Sequence, residues 1–294
     1  MSDYHLHLHP HPHRPSPDAP PPGVYPDGYV DRYVEAALDR GVRELGFTEH
    51  LYRCVESGPA LGRWWDDEKN PRLVAGMEEV LATERNLSLE RYVEVVLDAK
   101  ERGLPVKLGL EVDFVPGTEA AVIDLIGRYP FDYLVGSIHW VGAWNFMRAT
   151  EREEFERRGV RRAWEDYFGL AAALAGSGMV DVLGHVDVIK VANLIPPGSL
   201  EDLYAPVVAG AVDSGTAVEV SSAGLRREVK EVHPAPRFLE LFNAAGVPIT
   251  LASDGHVPSE AALGHDEVVA AARAAGYEQY LRFAARERIV TPLP

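Results

Sequence analysis

The chain opens with Asp3-Tyr4-His5-Leu6-His7, a short strand-like run that ends in two histidines. Six later segments share its pattern, in which a few apolar residues suited to a buried strand lead directly into histidine or a carboxylate. They are Leu45-Gly46-Phe47-Thr48-Glu49-His50, Leu108-Gly109-Leu110-Glu111, Leu134-Val135-Gly136-Ser137-Ile138-His139, Val182-Leu183-Gly184-His185, Val218-Glu219-Val220-Ser221-Ser222 and Leu251-Ala252-Ser253-Asp254-Gly255-His256. The pattern predicts seven short strands.

Helices are predicted between most of these strands. Amphipathic patterns cover Tyr29 to Arg40, Glu90 to Arg102, Arg161 to Ser177, Leu200 to Ser214, Arg237 to Ala245 and Glu260 to Ala275. Strands that alternate with helices pair in parallel, and a parallel barrel brings the C-terminal ends of all its strands to one rim. A doubly wound open sheet would gather the same ends along a line. We therefore expect an α/β barrel with the polar strand ends converging at its C-terminal rim.

The composition is that of an ordinary globular chain. Of 294 residues, 46% are hydrophobic, and 29 basic against 45 acidic side chains give a formal net charge of −16. Barrels of this kind commonly take about 250 residues, so we expect a single domain over residues 1–294. The negative balance repels nucleic-acid phosphates and offers no polybasic segment to an anionic membrane. We expect neither nucleic acid nor a membrane as a partner.

Targeting signals and cysteine chemistry are also absent from the pattern. No apolar run approaches the roughly 20 residues of a membrane span, and the start of the chain is polar and rich in histidine, so we expect a cytoplasmic protein. Cys54 is the single cysteine, which excludes an internal disulfide and a cysteine-cluster metal site. Any metal must be held by histidine and carboxylate.

Two segments interrupt the alternation of strand and helix. Residues 10–27 are rich in proline and are predicted to form an extended loop. Residues 51–89 form a long insertion between the second and third strands, which carries Trp64 and Trp65. Because long loops at the C-terminal rim of a barrel usually shape the substrate pocket, we predict that this insertion is a helical lid. The alternative is a peripheral helical decoration.

The residues at the predicted rim indicate a metal site. His5 and His7 are two apart on a strand and can reach one cation, and Asp254 and His256 repeat this alternation. A carboxylate such as Glu111 at the buried end of a strand is costly unless it is paired or binds metal. Together with the histidines that end other strands, these residues favour a multinuclear hydrolytic site. The added histidines are His50, His139 and His185.

These motifs resemble the polymerase and histidinol phosphatase (PHP) superfamily, specifically its histidinol-phosphatase branch. The resemblance covers nearly the whole chain and rests on the order Asp-Tyr-His-Leu-His, Gly-Phe-Thr-Glu-His, Gly-Leu-Glu-Val-Asp-Phe, Gly-Ser-Ile-His, Gly-His-Val-Asp, Val-Ser-Ser-Ala-Gly-Leu-Arg and Ala-Ser-Asp-Gly-His. It implies a distorted (β/α)7 TIM-like barrel that binds three divalent metal ions at its C-terminal rim.

The resemblance also implies a set of metal ligands for each ion. The first ion would take His5, His7, Glu111 and Asp254, and the second would take Glu111, His139 and His185. The third would take His13, His50 and His256, although His9 and His11 lie in the same loop and either could replace His13. Nitrogen and oxygen ligands suit zinc, manganese or iron, and the sequence does not choose among them.

Such a site suits a metal-dependent phosphomonoesterase. Two cations about 3.5–4 Å apart can share a water and direct the resulting hydroxide in line at phosphorus, and a strong local positive charge attracts a phosphate whatever the distant surface carries. We expect Glu111, Asp254 and His256 to form the catalytic set. The resemblance implies that the substrate is L-histidinol phosphate, hydrolysed to L-histidinol and phosphate in histidine biosynthesis.

Other residues are expected to support this chemistry. Arg226, or its neighbour Arg227, is predicted to contact the phosphate. Asp187 and Glu49 are predicted to orient His185 and His50. Asp113 is predicted to contact the amine of the substrate, and the acidic residues Asp66, Asp67 and Glu68 of the insertion offer an alternative.

Three alternatives to this activity stay open at the level of sequence. The first is a phosphoesterase of the same fold that acts on another small phosphate. The second, a nuclease, lacks a basic track for the strand in a chain this acidic. The third is a non-enzymatic protein that stores or senses metal through its histidine run, and it would have no need for Glu111 or Asp254. The oligomeric state is not indicated.

Overall fold

The computed structural model describes residues 1–148 and 152–294. Its main sheet has seven strands, and each strand pairs in parallel with the next one along the chain. The strands are β1 (Ser2–Leu6), β2 (Glu44–Phe47), β3 (Val106–Asp113), β4 (Tyr133–Ser137), β5 (Val182–Leu183), β6 (Ala217–Ser221) and β7 (Ile249–Ala252). The predicted α/β barrel of seven strands is confirmed.

The connections between strands are mainly helical. The helices are α1 (Tyr29–Asp39), α2 (Ser57–Leu61), α3 (Pro71–Glu84), α4 (Leu89–Glu101), α5 (Glu119–Ile126), α6 (Glu153–Arg158), α7 (Val160–Ser177), α8 (Glu201–Ser214), α9 (Pro236–Ala244) and α10 (His265–Ala274). Five of the six predicted helices begin and end within one residue of their observed bounds. The sixth begins at His265 instead of Glu260, because Pro258–Glu260 forms a separate 3₁₀ turn.

The barrel closes where the first strand meets the end of the last. The backbone N–H of His7 donates to the carbonyl oxygen of Gly255 at 2.8 Å. The buried carboxylate of Asp3 accepts from the backbone N–H groups of Ser253 and Ala262, each at 2.8 Å. Asp3 therefore holds β1 against the segment that follows β7.

The pairing of β1 with β2 is irregular between Asp3 and Leu6. The register shift lets two consecutive side chains face the barrel interior. Tyr4 lies 4.9 Å from the Tyr133 ring, and His5 contacts carboxylates at the opposite rim. This strand therefore serves both the base of the barrel and its site.

Glycines make room for a large side chain inside the barrel. The Tyr133 ring is fully buried, and its hydroxyl donates to the backbone carbonyl of Tyr4 at 2.9 Å. A Cβ at Gly109 would lie 2.6 Å from Cζ of Tyr133, and a Cβ at Gly46 would collide with its hydroxyl. The two glycines of β2 and β3 are therefore needed for close packing, a requirement that the sequence pattern alone did not reveal.

A C-terminal hairpin seals the N-terminal end of the barrel. It consists of the antiparallel strands β8 (Gln279–Ala284) and β9 (Glu287–Pro292), which were not predicted. Phe283 stacks on Tyr133 with ring centroids 5.6 Å apart, and its N–H donates to the Tyr4 hydroxyl at 3.0 Å. The substrate must therefore enter from the opposite rim.

The insertion over residues 51–89 is helical, as predicted. A 3₁₀ turn at Leu51–Arg53 is followed by α2 and α3, and Asn70 caps α3 by accepting from the Arg72 N–H at 3.1 Å. The Trp64 indole donates to the Gly142 carbonyl at 3.2 Å, across from the loop after β4. The insertion thus reaches the rim, and its lid role stays a prediction.

None of the helices within residues 1–148 and 152–294 has the length and apolar character needed to cross a membrane.

We expect Gly109→Ala to lower the free energy of unfolding by about 1–3 kcal/mol, since the added methyl group overpacks the barrel interior against Tyr133. The control is Gly169→Ala, an exposed helical site where a Cβ meets no atom within 4 Å and where alanine favours the helix. Chemical denaturation of both variants measures the difference. Equal stability of the two would contradict the packing argument.

Candidate metal centre

Glu111 lies at the centre of the rim. Strand β3 continues to Asp113, so Glu111 lies within the strand and not just past its end, and its side chain is fully buried inside the barrel. One carboxylate oxygen, Oε1, is 3.0 Å from Nε2 of His185, and Oε2 is 2.5 Å from Nδ1 of His50. The two oxygens therefore face different groups of imidazoles.

The electrostatic balance of the site keeps Glu111 ionised. Burial by itself would raise the pKa of this carboxyl, but His50, His5 and His139 hold the pKa well below its usual range. Burial lowers the pKa values of His50 and His256 well below the usual value for histidine. An anionic carboxylate beside neutral imidazoles is the protonation state in which these groups bind metal.

A second group of donors surrounds Asp254, which follows β7. Its Oδ1 atom is 3.3 Å from Nε2 of His7 and 3.9 Å from Nε2 of His5. Asp254 has a φ of 53°, in the left-handed region that is uncommon for residues other than glycine. The Arg226 guanidinium braces this turn by donating to the backbone carbonyls of Ser253 at 2.7 Å and Asp254 at 2.8 Å.

The donor atoms fit divalent metal ions. Ligands held about 2.1 Å from a tetrahedral ion lie roughly 3.4 Å from one another, close to the separations seen here. Several of these atoms are buried without a hydrogen-bond partner, which is costly unless another group satisfies them. They are Nε2 of His5, His7 and His256, Nδ1 of His50 and Oε2 of Glu111. The sets that could hold an ion are His5–His7–Asp254, His5–Glu111–His185, His50–Glu111–His139 and His7–His50–His256.

The histidine-rich loop after β1 brings His11, rather than His13, to this centre. The Nε2 atoms of His11 and His50 are 3.2 Å apart, and the His11 and His256 rings are 5.0 Å apart. The side chain of His13 is 53% exposed and points to Glu84, with Nδ1 3.7 Å from Oε1. His9 is buried beside Glu49 and Val24.

Three histidines of the site have a carboxylate on their outer ring nitrogen. Nδ1 of His5 is 2.6 Å from Glu219, Nδ1 of His139 is 2.7 Å from Asp113, and Nδ1 of His11 is 2.9 Å from Glu84. Because an ionised carboxylate can only accept, each Nδ1 carries the proton and each Nε2 keeps a lone pair for a metal. This arrangement fixes both the tautomer and the direction of each ring.

Glu219 and Glu84 were missed in the sequence analysis. Glu219 lies between two valines of β6, so the argument that a buried strand carboxylate needs a partner, applied above to Glu111, could have found it. Glu84 lies at the end of α3 in the insertion, and no sequence signal connects it with the histidine loop.

Asp113, the residue predicted to contact the substrate amine, lies behind His139. Its second oxygen accepts from the Tyr52 backbone N–H at 3.1 Å, and its side chain is buried. Burial raises the pKa of Asp113, although His139 opposes the shift.

Glu49 and Asp187, the residues predicted to orient site histidines, are both fully buried. Glu49 accepts from the backbone N–H of His50 at 3.2 Å, and its carboxylate lies 3.7 Å from Nδ1 of His7. Asp187 is 2.6 Å from Nδ1 of His233 and 2.9 Å from Nζ of Lys190. Its side-chain partners are therefore His233 and Lys190, and His185 is not among them.

A cavity opens above the centre, with Asp254 and His256 among its lining residues. Tyr52 and Trp140 form an aromatic wall, with ring centroids 4.8 Å apart in an edge-to-face arrangement. Arg227 lines the cavity as well. It also borders an adjoining space of about 300 Å³ lined by Arg14 and Arg226.

The fold and this centre define a parallel β/α barrel with a multinuclear cluster of histidine and carboxylate donors at its C-terminal rim. The PHP domain model matches residues 27–223, which is more than half of the chain. The chain belongs to the PHP domain family.

Relatives of known fold or assigned activity agree with this placement. A curated Deinococcus radiodurans protein, named a probable histidinol-phosphatase, is 34% identical over 234 residues, which cover 79% of this chain and 82% of the relative. A crystal structure of a candidate histidinol phosphatase from Listeria monocytogenes shares the fold, with a TM-score of 0.70, 18% identity and coverage of 91% of this chain and 99% of that one.

A second solved structure is the histidinol phosphate phosphatase of Lactococcus lactis in complex with zinc, L-histidinol and phosphate. It is similar with a TM-score of 0.65 and 16% identity, and the match covers 98% of each chain. At this level of identity the two solved structures establish the shared fold.

Removing His11 should cost the zinc-loaded protein bound metal, because its Nε2 atom faces His50, whereas removing the half-exposed His13 should cost little. The measurement is zinc stoichiometry by elemental analysis of His11→Ala and His13→Ala after identical loading and desalting. Loss of zinc from His13→Ala, with full retention in His11→Ala, would instead favour the ligand set expected from the family resemblance.

Proposed function

We propose that this protein is a metal-dependent phosphomonoesterase that hydrolyses L-histidinol phosphate to L-histidinol and phosphate in histidine biosynthesis. The observation that carries the proposal is the buried Glu111 carboxylate, whose two oxygens face separate groups of imidazoles near the cavity. The similarity to the Deinococcus radiodurans protein supports the choice of substrate.

The proposed centre holds three divalent ions. His5, His7, Glu111 and Asp254 would hold the first, Glu111, His139 and His185 the second, and His50 and His256 with a histidine of the loop after β1 the third. Divalent ions in such a site acidify a bound water and neutralise charge on a phosphoryl group. Zinc is the ion named for the Lactococcus lactis relative, and the same donors suit manganese or iron.

The chain's own residues set the direction of the reacting group. We assign the catalytic role to Glu111, Asp254 and His256, of which Asp254 and His256 line the cavity directly. Glu111 lies beneath them, and its charge is balanced by imidazoles that approach it from several strands. The phosphoryl group of the substrate must therefore lie against this part of the rim.

Arginine side chains mark the phosphate end of the cavity. Arg14, Arg226 and Arg227 line the adjoining space next to Asp254 and His256, in a chain whose net charge is otherwise −16. A guanidinium matches the geometry of phosphoryl oxygens and forms charge-assisted hydrogen bonds with them. We propose Arg226 and Arg227 as phosphate contacts, with Arg226 also holding the Asp254 turn in place.

The other end of the cavity suits the organic part of the substrate. Tyr52 and Trp140 offer aromatic faces and edges to an imidazole ring, and Glu84 offers a carboxylate to a cationic group. Tyr52 and Glu84 both belong to the 51–89 insertion, and the Tyr52 hydroxyl donates to Glu84 at 2.6 Å. The insertion therefore supplies part of the substrate pocket, which agrees with its proposed lid role.

The direct test is phosphate release by the purified protein from L-histidinol phosphate, compared with a panel of other phosphomonoesters. We expect L-histidinol phosphate to be the preferred substrate, extensive chelation to abolish the activity, and added zinc or manganese to restore it. Preference for another small phosphate would replace the substrate but keep the reaction. Full activity in demonstrably metal-free protein would exclude the proposed chemistry.

Glu111→Gln and Arg227→Ala should differ in kind. Glu111→Gln removes the charge that both groups of imidazoles share, so we expect fewer bound metals and almost no turnover at any substrate concentration. Arg227→Ala should keep its metals and lose about 2–4 kcal/mol of transition-state stabilisation, a fall in kcat/KM of roughly 30-fold to 1000-fold. Metal analysis and steady-state kinetics distinguish the two effects. A Glu111→Gln protein with intact metals and near-normal kcat would refute the central role of this carboxylate.

A further inference from the structure

We propose that Glu219 is a positioning residue that sets two metal-binding histidines at once, a role that rests on the proposed function. Glu219 lies in the middle of β6 and is fully buried. Its Oε2 atom is 2.6 Å from Nδ1 of His5, and its Oε1 atom accepts from the backbone N–H of His185 at 3.1 Å. These two histidines come from β1 and from the loop after β5.

Only a carboxylate satisfies both partners. The His185 N–H is a fixed donor, and Nδ1 of His5 must also donate if its Nε2 is to keep a lone pair toward Glu111 and Asp254. An amide has one accepting end, so glutamine would turn its NH₂ toward one of the two donors. Facing His5, the NH₂ group would drive the proton to Nε2. Facing His185, it would oppose a backbone N–H group.

The contact with His185 holds a backbone that would not adopt its conformation freely. His185 has a φ of 26°, outside the common regions for a residue with a side chain, and such a conformation persists only where its surroundings fix it. The adjacent Gly184 has no room for a Cβ, which would lie 2.6 Å from Val135. Glu219 therefore determines where the His185 ring meets Glu111, 3.0 Å away.

The test compares Glu219→Gln with Asp132→Asn by zinc titration against a competing chromophoric chelator. Asp132 is a matched control because it is also buried and accepts backbone N–H groups, from Leu108 at 2.8 Å and Ala285 at 3.0 Å, but it lies at the opposite end of the barrel. We expect zinc affinity to fall about 10-fold to 100-fold in Glu219→Gln and to stay at the wild-type value in Asp132→Asn. Unchanged affinity in Glu219→Gln, or an equal loss in both variants, would overturn the proposal.

A second measurement needs no folded variant of Glu219. In the zinc-loaded wild-type protein, long-range ¹H–¹⁵N correlation spectra should show His5 protonated at Nδ1, and a proton on Nε2 would refute the proposed role. Phosphate release from L-histidinol phosphate by the wild-type protein separates the two hypotheses. Hydrolysis with unaltered zinc binding in Glu219→Gln would leave the function standing and exclude the positioning role. Weakened zinc binding in Glu219→Gln, without hydrolysis by the wild-type protein, would support the positioning role and exclude the proposed activity.

Discussion

A single buried negative charge organises the rim of this barrel. Glu111 is fully buried, and a carboxylate in that position would be costly if it were not surrounded by groups that favour its ionised form. Imidazoles from β1, from the segment after β2 and from the loops after β4 and β5 supply that surrounding. The parallel barrel makes the arrangement possible because it brings the ends of these strands to one place.

The imidazoles in turn depend on carboxylates behind them. Glu219, Asp113 and Glu84 lie on the outer nitrogens of His5, His139 and His11, so the inner nitrogens are directed at the centre. Arg53 adds a further layer, since its fully buried guanidinium donates to the carbonyl of His9 at 3.0 Å and thereby holds the histidine loop. The geometry of the centre is thus distributed over residues that never contact a substrate.

The strand pattern revealed the barrel because histidines and carboxylates repeatedly follow apolar segments, and this signal is local. Residues whose role depends on distant partners were harder to find. Glu219 meets a histidine 214 positions away in the sequence, and Tyr133 finds space only because β2 and β3 each carry a glycine. The register shift in β1 likewise has no sequence signature, although it turns both Tyr4 and His5 inward. The hairpin of β8 and β9 was missed because its role is to cover the base of the barrel, beyond the alternation of strand and helix.

The distance along the chain between His5 and Glu219 has a consequence for synthesis of the protein. At translation rates of about 5–20 residues per second, the 214 positions between them correspond to roughly 10–40 s. During that interval the first strand and its histidines have left the ribosome, while the carboxylate that fixes the His5 tautomer does not yet exist. The nascent chain therefore exposes a run of flexible imidazoles before it has a geometry that selects among metals. Correct loading is then a property of the completed barrel, and ions captured earlier must be released or repositioned as the last strands close it.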